Sequence, residues 1–151
     1  WIARGPLAAQ TAAIISRFRV KATGPQALAR SLSGGNLQKY IMGREIDARP
    51  RVLIVAQPTW GVDVGAAAQI RGALLALRDE GCAVLVVSEE LDELFELSDR
   101  LVVIAKGRLS PPIERAVAEV TRIGEWMSGL WPEPGAAQAG DLGMAVPGER
   151  R

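Results

Sequence analysis

Histidine is absent from this chain, cysteine occurs once, and no apolar run approaches the length of a membrane span. Each absence removes a class of explanation. With no imidazole and a single thiol, Cys82, neither a Cys/His zinc site nor an internal disulfide framework is available. Runs such as residues 84–87 fall far short of the ~20 residues that cross a bilayer. Strong charge of one sign is missing as well: 18 basic residues stand against 17 acidic ones, a formal net charge of +1. That balance gives no electrostatic footing for nucleic acid or an anionic membrane. The opening residues, Trp1-Ile2-Ala3-Arg4-Gly5-Pro6, hold neither an initiator Met nor the apolar core of a signal peptide. The expectation is a soluble, intracellular chain that starts inside something larger.

What is present is ordinary globular material. The chain has 151 residues, 48% hydrophobic and 23% charged, enough for one domain with a real core. Ala, Ile and Leu dominate 7–18, which predicts a helix ended before Gly24-Pro25. A polar connector follows over 26–32. Over 36–47, Leu37, Tyr40, Ile41, Met42 and Ile46 recur at helical spacing, and Arg49-Pro50 stops the run. Residues 51–56 form a compact β-branched run, apolar on both faces as in a buried parallel strand. A helix is expected over 64–80, with Ile70, Leu74, Leu75 and Leu77 on one face and Gly81 as its stop. A second apolar strand spans 83–87, a short acidic-fronted helix 89–97, and a third strand 101–105. Lys106-Gly107-Arg108 reads as a tight turn into a return strand at Leu109. A last helix is expected over 117–130, and a disordered tail from Pro132.

Strand, helix, strand, helix, strand with short connectors predicts an α/β layer around a parallel sheet. Ligands of such sheets gather at the carboxyl ends of the strands, here Ala56-Gln57 and Ser88-Glu89. Beside them in sequence stands Ser31-Leu32-Ser33-Gly34-Gly35-Asn36-Leu37-Gln38-Lys39, a Ser-Gly-Gly turn running into a helix. A hydroxyl, two residues without side chains and a fresh helix N-terminus make a place where phosphate oxygens dock. Taken alone, a Gly-rich helix cap with no ligand explains the turn equally well.

The order Leu32-Ser33-Gly34-Gly35-Asn36-Leu37-Gln38, then a strand ending in Gln57-Pro58-Thr59, then Gly61-Val62-Asp63, then a strand ending in Ser88-Glu89-Glu90, resembles the ATPase domain of ABC transporters. The resemblance covers roughly residues 6–130. It is nearest to the second nucleotide-binding domain of the duplicated ATP-binding subunit of simple-sugar and nucleoside importers. The run over 56–66 looks like the nucleoside (basic-membrane-lipoprotein) branch. The resemblance implies a partial P-loop NTPase core of the RecA-like ABC type, α/β with a parallel sheet and flanking helices. Residues 1–30 would then end the helical subdomain, 31–110 form the C-terminal half of the core, 111–131 a C-terminal helix and 132–151 the tail.

In that family two ATPase domains close head to tail around two ATP molecules with Mg²⁺. By resemblance, Ser33, Gly34, Gly35 and Asn36 would contact the γ-phosphate of ATP held by a partner domain, and Asp63 would lie in the loop that crosses to the opposite site. Implied partners are a second ATPase domain, membrane permease subunits and, indirectly, a substrate-binding lipoprotein, at the inner face of the cell membrane. Nucleic acid is not expected.

The departures are chemical. No Gly-x-x-x-x-Gly-Lys-Ser/Thr phosphate loop occurs in the 151 residues. Ala56 occupies the position of the Mg²⁺-binding Asp, Gln57 that of the water-polarising Glu, and Glu89 that of the switch His. No catalytic set is intact, so ATP turnover by this chain alone is not expected. Structural readings stand beside these assignments. Gln57 would tie its turn together, Glu89 would be a helix N-terminal carboxylate, and Asp63 would cap the helix that follows. Trp60, in a turn at the ligand edge, would pack at an interface, and Cys82 would be a small buried residue. Two functional classes remain open. One is a piece of a transport ATPase that lends its Ser-Gly-Gly turn to a partner's ATP. The other is a non-catalytic dimerisation or coupling module; a third possibility is a truncated, nonfunctional remnant.

Overall fold

A computed structural model describes residues 4–131 of the chain. The described chain divides into two compact units that meet between Ser98 and Asp99. The first unit carries helices α1 (Arg4–Arg17), α2 (Gly34–Asp47), α3 (Val64–Asp79) and α4 (Leu91–Leu97), with strands β1 (Val52–Ala56) and β2 (Ala83–Val87). A short 3₁₀ turn, Ala29–Ser31, interrupts the expected polar connector.

Strands β1 and β2 are parallel, in register from Val52↔Ala83 to Ala56↔Val87, with α3 as the crossover. Parallel neighbours require such a crossover, so the βαβ unit sets the architecture. Alternation along β1 sends Leu53 and Val55 into the core, where they meet Ile14 and Phe18 of α1, Met42 and Ile46 of α2, and Ile70, Leu74 and Leu77 of α3. Cys82, at the start of β2, is buried in the same cluster, as its sequence position predicts. The opposite face differs from expectation. Ile54 is 68% exposed and Leu85, its partner across the ladder, 56% exposed, so the sheet is covered on one face only among the described residues.

Helix ends follow their local chemistry. Asp79 ends α3, Gly81 takes φ +98°, and two bonds close the end: Gly81 N to Arg78 O at 2.8 Å and Cys82 N to Leu77 O at 3.2 Å. A side chain is disfavoured at that φ, which is why glycine stops the helix there. Glycine serves another purpose in α2. A Cβ on Gly43 would lie 2.6 Å from Phe18 Cδ2 and 2.8 Å from Ile14 Cγ2, so its absence lets α1 and α2 approach.

The second unit corrects the expected third parallel strand. Instead of one strand over 101–105, β3 (Arg100–Leu101) and β4 (Ile104–Ala105) form separate short ladders. Strand β4 pairs antiparallel with β5 (Arg108–Leu109), and β3 with β6 (Ile113–Glu114). The cause is local. Lys106 and Gly107 adopt φ +50° and +73°, the left-handed pair of a two-residue hairpin turn, which folds the run back on its own continuation. Ser110 spans the break, accepting at Oγ from Val103 N at 2.9 Å and donating its own N–H to Val103 O at 2.8 Å. The return strand at Leu109 is present as expected. The last helix is shorter than expected: α5 spans Val120–Met127 and buries Ile123 and Trp126, preceded by a 3₁₀ turn at Arg115–Val117. The expected disordered tail lies outside the described residues.

No helix among the described residues is long and apolar enough to cross a membrane. The α1–α2 contact yields a stability prediction. Gly43→Ala should destabilise the chain by about 1–3 kcal/mol, because the added methyl overpacks a closed helix pair; urea unfolding measures it, and an unchanged midpoint would contradict the close approach.

Candidate functional site

Ser33 caps α2 from an extended conformation (φ −65°, ψ 158°). Its Oγ accepts from the Asn36 amide at 3.4 Å and from Asn36 Nδ2 at 2.9 Å. A hydroxyl has two acceptor positions and one donor, so this cap consumes the lone pairs and leaves the O–H to point elsewhere. Asn36 is fixed from the other side, where its Oδ1 accepts from Lys21 N at 2.8 Å. The Leu37 amide is taken by Ser33 O at 2.8 Å. The amides of Gly34 and Gly35 are therefore the remaining donors of the first turn, at the positive end of a 14-residue helix.

The two glycines are not equivalent. Nothing lies within 4 Å of a Cβ built on exposed Gly34. A Cβ on Gly35 would sit 2.6 Å from the backbone oxygen of Gly61. Gly34 thus leaves room above the helix end, while Gly35 lets the loop after β1 press against it.

Two further contacts secure that loop. Gln38 donates through Nε2 to both Gln57 O and Pro58 O, each at 3.0 Å. Lys39, only 8% exposed, pairs with Asp63 Oδ2 at 3.5 Å. Asp63 uses its other oxygen to cap α3, accepting from Ala66 N at 2.9 Å. One carboxylate therefore ties the body of α2 to the start of α3. The Ala66 N–H is the main cause holding the Asp63 carboxyl below its ordinary pKa; desolvation opposes it, and the Lys39 ammonium adds a further lowering.

The strand ends hold the remaining sequence candidates. Ala56 closes β1 on the open face of the sheet. Gln57 adopts φ +49°, in the left-handed region unusual for a side-chain-bearing residue. It is tied down by its N–H to Val87 O at 2.7 Å and by Ser88 Oγ donating to its Oε1 at 3.4 Å. Glu89 is exposed and stands outside α4. The cap position belongs to Glu90 and α4 starts at Leu91, so the expectation that Glu89 begins the helix is corrected by two residues. Ser88 is the reason: its Oγ accepts the Glu90 amide at 3.1 Å, which bends the chain at Glu89 before the helix starts. Trp60 is 73% exposed. The structure brings Ser33–Asn36, Gln57 and Asp63 to one edge, with Ser88 linking Gln57 to the Glu89 loop.

Sequence reasoning missed Gln38, Lys39 and Glu93. Glu93 is 5% exposed and accepts from Thr59 Oγ1 at 2.7 Å. A usable signal existed, because Glu93 lies four residues before Leu97 and shares its buried helix face. For Lys39, the distance from Asp63 in sequence gave none.

Solved structures set this arrangement in a fold class. An ATP-binding subunit of an ABC transporter superposes on 80% of this chain and 53% of its own length with TM-score 0.68 at 16% identity. A dimeric ATP-binding cassette in a post-hydrolysis state, bound to ADP and Pi, covers 71% of this chain and 46% of that one with TM-score 0.62 at 18% identity. At such identities the likeness is one of fold: the chain has part of the fold of an ABC ATP-binding cassette.

Sequence relatives narrow the class. The nucleoside import ATP-binding protein NupA of Lactococcus lactis is 46% identical over 116 residues, 77% of this chain and 23% of the relative. The guanosine import ATP-binding protein NupO of Bacillus subtilis is 41% identical over 126 residues, 83% of this chain and 25% of the relative. The ribose import ATP-binding protein RbsA of Bacillus subtilis is 42% identical over 110 residues, 73% and 22% respectively. No protein-family model matches the chain. The chain belongs to the family of ATP-binding proteins of ribose, sugar and nucleoside ABC importers, and it spans about a quarter of the length of these relatives.

Two measurements test the geometry. Gly35→Ala should destabilise the fold by about 1–3 kcal/mol through its contact with Gly61. Gly34→Ala should be neutral or slightly stabilising, since alanine favours a helix by up to about 1 kcal/mol; equal losses in urea unfolding would refute the asymmetry. For Asp63, a carbon-detected NMR titration should give a midpoint below 3.8. Because the folded value is depressed, its stabilisation is present above the unfolded pKa and is lost as pH falls through the folded one. The stability gap between wild type and Asp63→Asn should accordingly be present at neutral pH and vanish in acid.

Proposed function

We propose that this chain is the C-terminal part of a second nucleotide-binding domain in the ATP-binding subunit of a sugar or nucleoside importer, and that it lends Ser33–Asn36 to ATP held by a partner domain. Residues 1–30 would then complete the helical subdomain and 31–110 the C-terminal half of the core. One observation carries the reading. The α2 N-terminus offers the Ser33 hydroxyl and the Gly34 and Gly35 amides on an exposed surface, with space above Gly34 and its rear packed against the Gly61 loop. Such fixed donors suit the charge that spreads over phosphoryl oxygens during transfer, and they need no reorganisation when it develops.

The chain's own strand ends support the complementary half of the reading. Ala56 offers no Mg²⁺ ligand, Gln57 is an amide engaged with Ser88, and Glu89 is an exposed carboxylate that would repel a γ-phosphate. The site these residues would form is degenerate, and the productive ATP with its Mg²⁺ belongs to the partner. Further partners are the permease subunits and, through them, a substrate-binding lipoprotein, with the complex at the cytoplasmic face of the membrane.

The alternative is a coupling module whose Ser-Gly-Gly turn senses ATP without accelerating its hydrolysis. The second clasp of α2 onto the Gly61 loop, Lys39–Asp63, keeps this reading in view, because it links α2 directly to the start of α3.

Two arms separate the readings. The 151-residue chain alone should show no ATP hydrolysis and no micromolar ATP binding; either activity would sink the assignment of the nucleotide to a partner. In the complete importer subunit, Ser33→Arg should lower the ATPase rate by about 10²-fold, the scale of losing one preorganised oxyanion donor. An unchanged rate in a subunit whose melting temperature shows it folded would favour the coupling module.

A further inference from the structure

The loop between β1 and α3 is gripped from two sides. From α2 come the Gln38 amide, the close approach of Gly35, and Lys39. From α4 comes Glu93, whose Oε1 accepts the Thr59 hydroxyl at 2.7 Å. Inside the loop the next links are backbone bonds. Gln57 O accepts the Trp60 amide at 3.1 Å and Thr59 O accepts the Val62 amide at 3.4 Å, which turns the chain at Gly61, φ +70°. The Gly61 carbonyl oxygen is the atom that leaves no room for a Cβ on Gly35. Thr59 thus stands between Glu93 and the carbonyl that backs the start of α2.

Glu93 is a costly way to pack a helix. It is 5% exposed, and its Oε2 is buried without a hydrogen-bond partner. Leu97, four residues on, covers the same face of α4 with hydrocarbon and no such cost. Arg71 Nε, on the wall of the same recess, also lacks a hydrogen bond, and its ion pair, at 2.7 Å, is with Glu96. The polar bond that Glu93 makes is therefore spent on the loop. A buried carboxyl kept for one short, directional bond fixes where its donor sits. Glu96 and Leu97 meanwhile fasten α4 to α3 and to the core, so Glu93 projects from a fixed support.

We propose that Glu93 is a positioning residue: through Thr59 it sets the turn at Gly61, and that turn sets the Gly34 and Gly35 amides at the start of α2. The effect on turnover rests on the proposal that those amides serve a partner's ATP; the mechanical link does not.

The test begins with the 151-residue chain. Thr59→Val removes the donor at nearly constant volume, and Thr59→Ser restores a hydroxyl. Amide NMR signals of Gly34 and Gly35 should shift in Thr59→Val and return toward their wild-type positions in Thr59→Ser. Glu93→Gln, which keeps an acceptor, should resemble wild type, and Glu93→Ala should resemble Thr59→Val. Combining Thr59→Val with Glu93→Ala should perturb the signals no further than either alone. Should Glu93→Ala fail to fold, the valine and serine variants carry the decision. Unmoved Gly34 and Gly35 signals in folded Thr59→Val, or a serine variant as perturbed as the valine one, overturn the proposal. In the complete importer subunit, Thr59→Val should lower kcat about tenfold with KM for ATP unchanged, as for a small misplacement felt in the transition state, and Thr59→Ser should recover it. An unchanged kcat where Ser33→Arg does lower the rate overturns the positioning role alone. An unchanged rate in both variants overturns the reading of the Ser33 turn instead, and the NMR comparison then decides the link.

Discussion

The clasp between the start of α2 and the loop after β1 is the constraint on which the first unit depends. It consists of a glycine with no room for a methyl, a glutamine amide shared between two carbonyls, and a buried ammonium facing a carboxylate. These contacts differ in kind, and that matters. The Gly35–Gly61 approach fixes distance, the Gln38 bonds fix orientation, and Lys39–Asp63 pairs a charge within α2 with the cap of α3. Remove the loop and Lys39 loses its counter-charge, Asp63. The helix end that presents Ser33 and Gly34 to solvent is rigid because its rear is anchored to the sheet.

That rigidity bears on how an anion-docking surface can work with no acid or base of its own. A helix end acts on charge only if its donors stay aimed while charge changes. The cap achieves this by turning Ser33 into a double acceptor, which orients the hydroxyl, and by immobilising Asn36 from the Lys21 side. On the proposed reading, Ala56 and the engaged Gln57 amide at the adjoining strand ends stand where phosphoryl chemistry would ask for carboxylates. The two halves of the proposed function thus sit next to each other, one equipped and the other emptied of chemistry.

Much of this was legible in the sequence because it is local. Helix periodicity placed α2 and α3 with their buried faces, Gly81 announced the end of α3, and Lys106-Gly107 announced a hairpin. Asp63 was legible as a cap because the cap lies three residues from its donor. What escaped depends on chain neighbours far apart. Lys39 and Asp63 meet only when α2 packs against the loop after β1, and nothing in the sequence pattern pairs them. Glu93 escaped because an acidic helix start has a ready explanation in the helix dipole, which hides that one of its carboxylates faces inward. The third strand was misjudged for the opposite reason. Its apolar run fits a parallel sheet, but the adjacent turn offered a nearer partner, and the run broke at Val102 and Val103 to take it.

The hairpin at Lys106-Gly107 carries a kinetic consequence. Strands β4 and β5 meet across a two-residue turn, whereas β1 and β2 must wait for the whole of α3 to intervene. Loop closure of the first kind is among the fastest events in folding, on the order of microseconds, while pairing across a crossover is slow. The second unit therefore has its ladder in place while the parallel pair is still searching. During that interval the side chains of Ile54 and Leu85 can pair out of register or with another molecule. A folding experiment on this chain would meet its aggregation hazard in the βαβ unit, at the step with the longest wait.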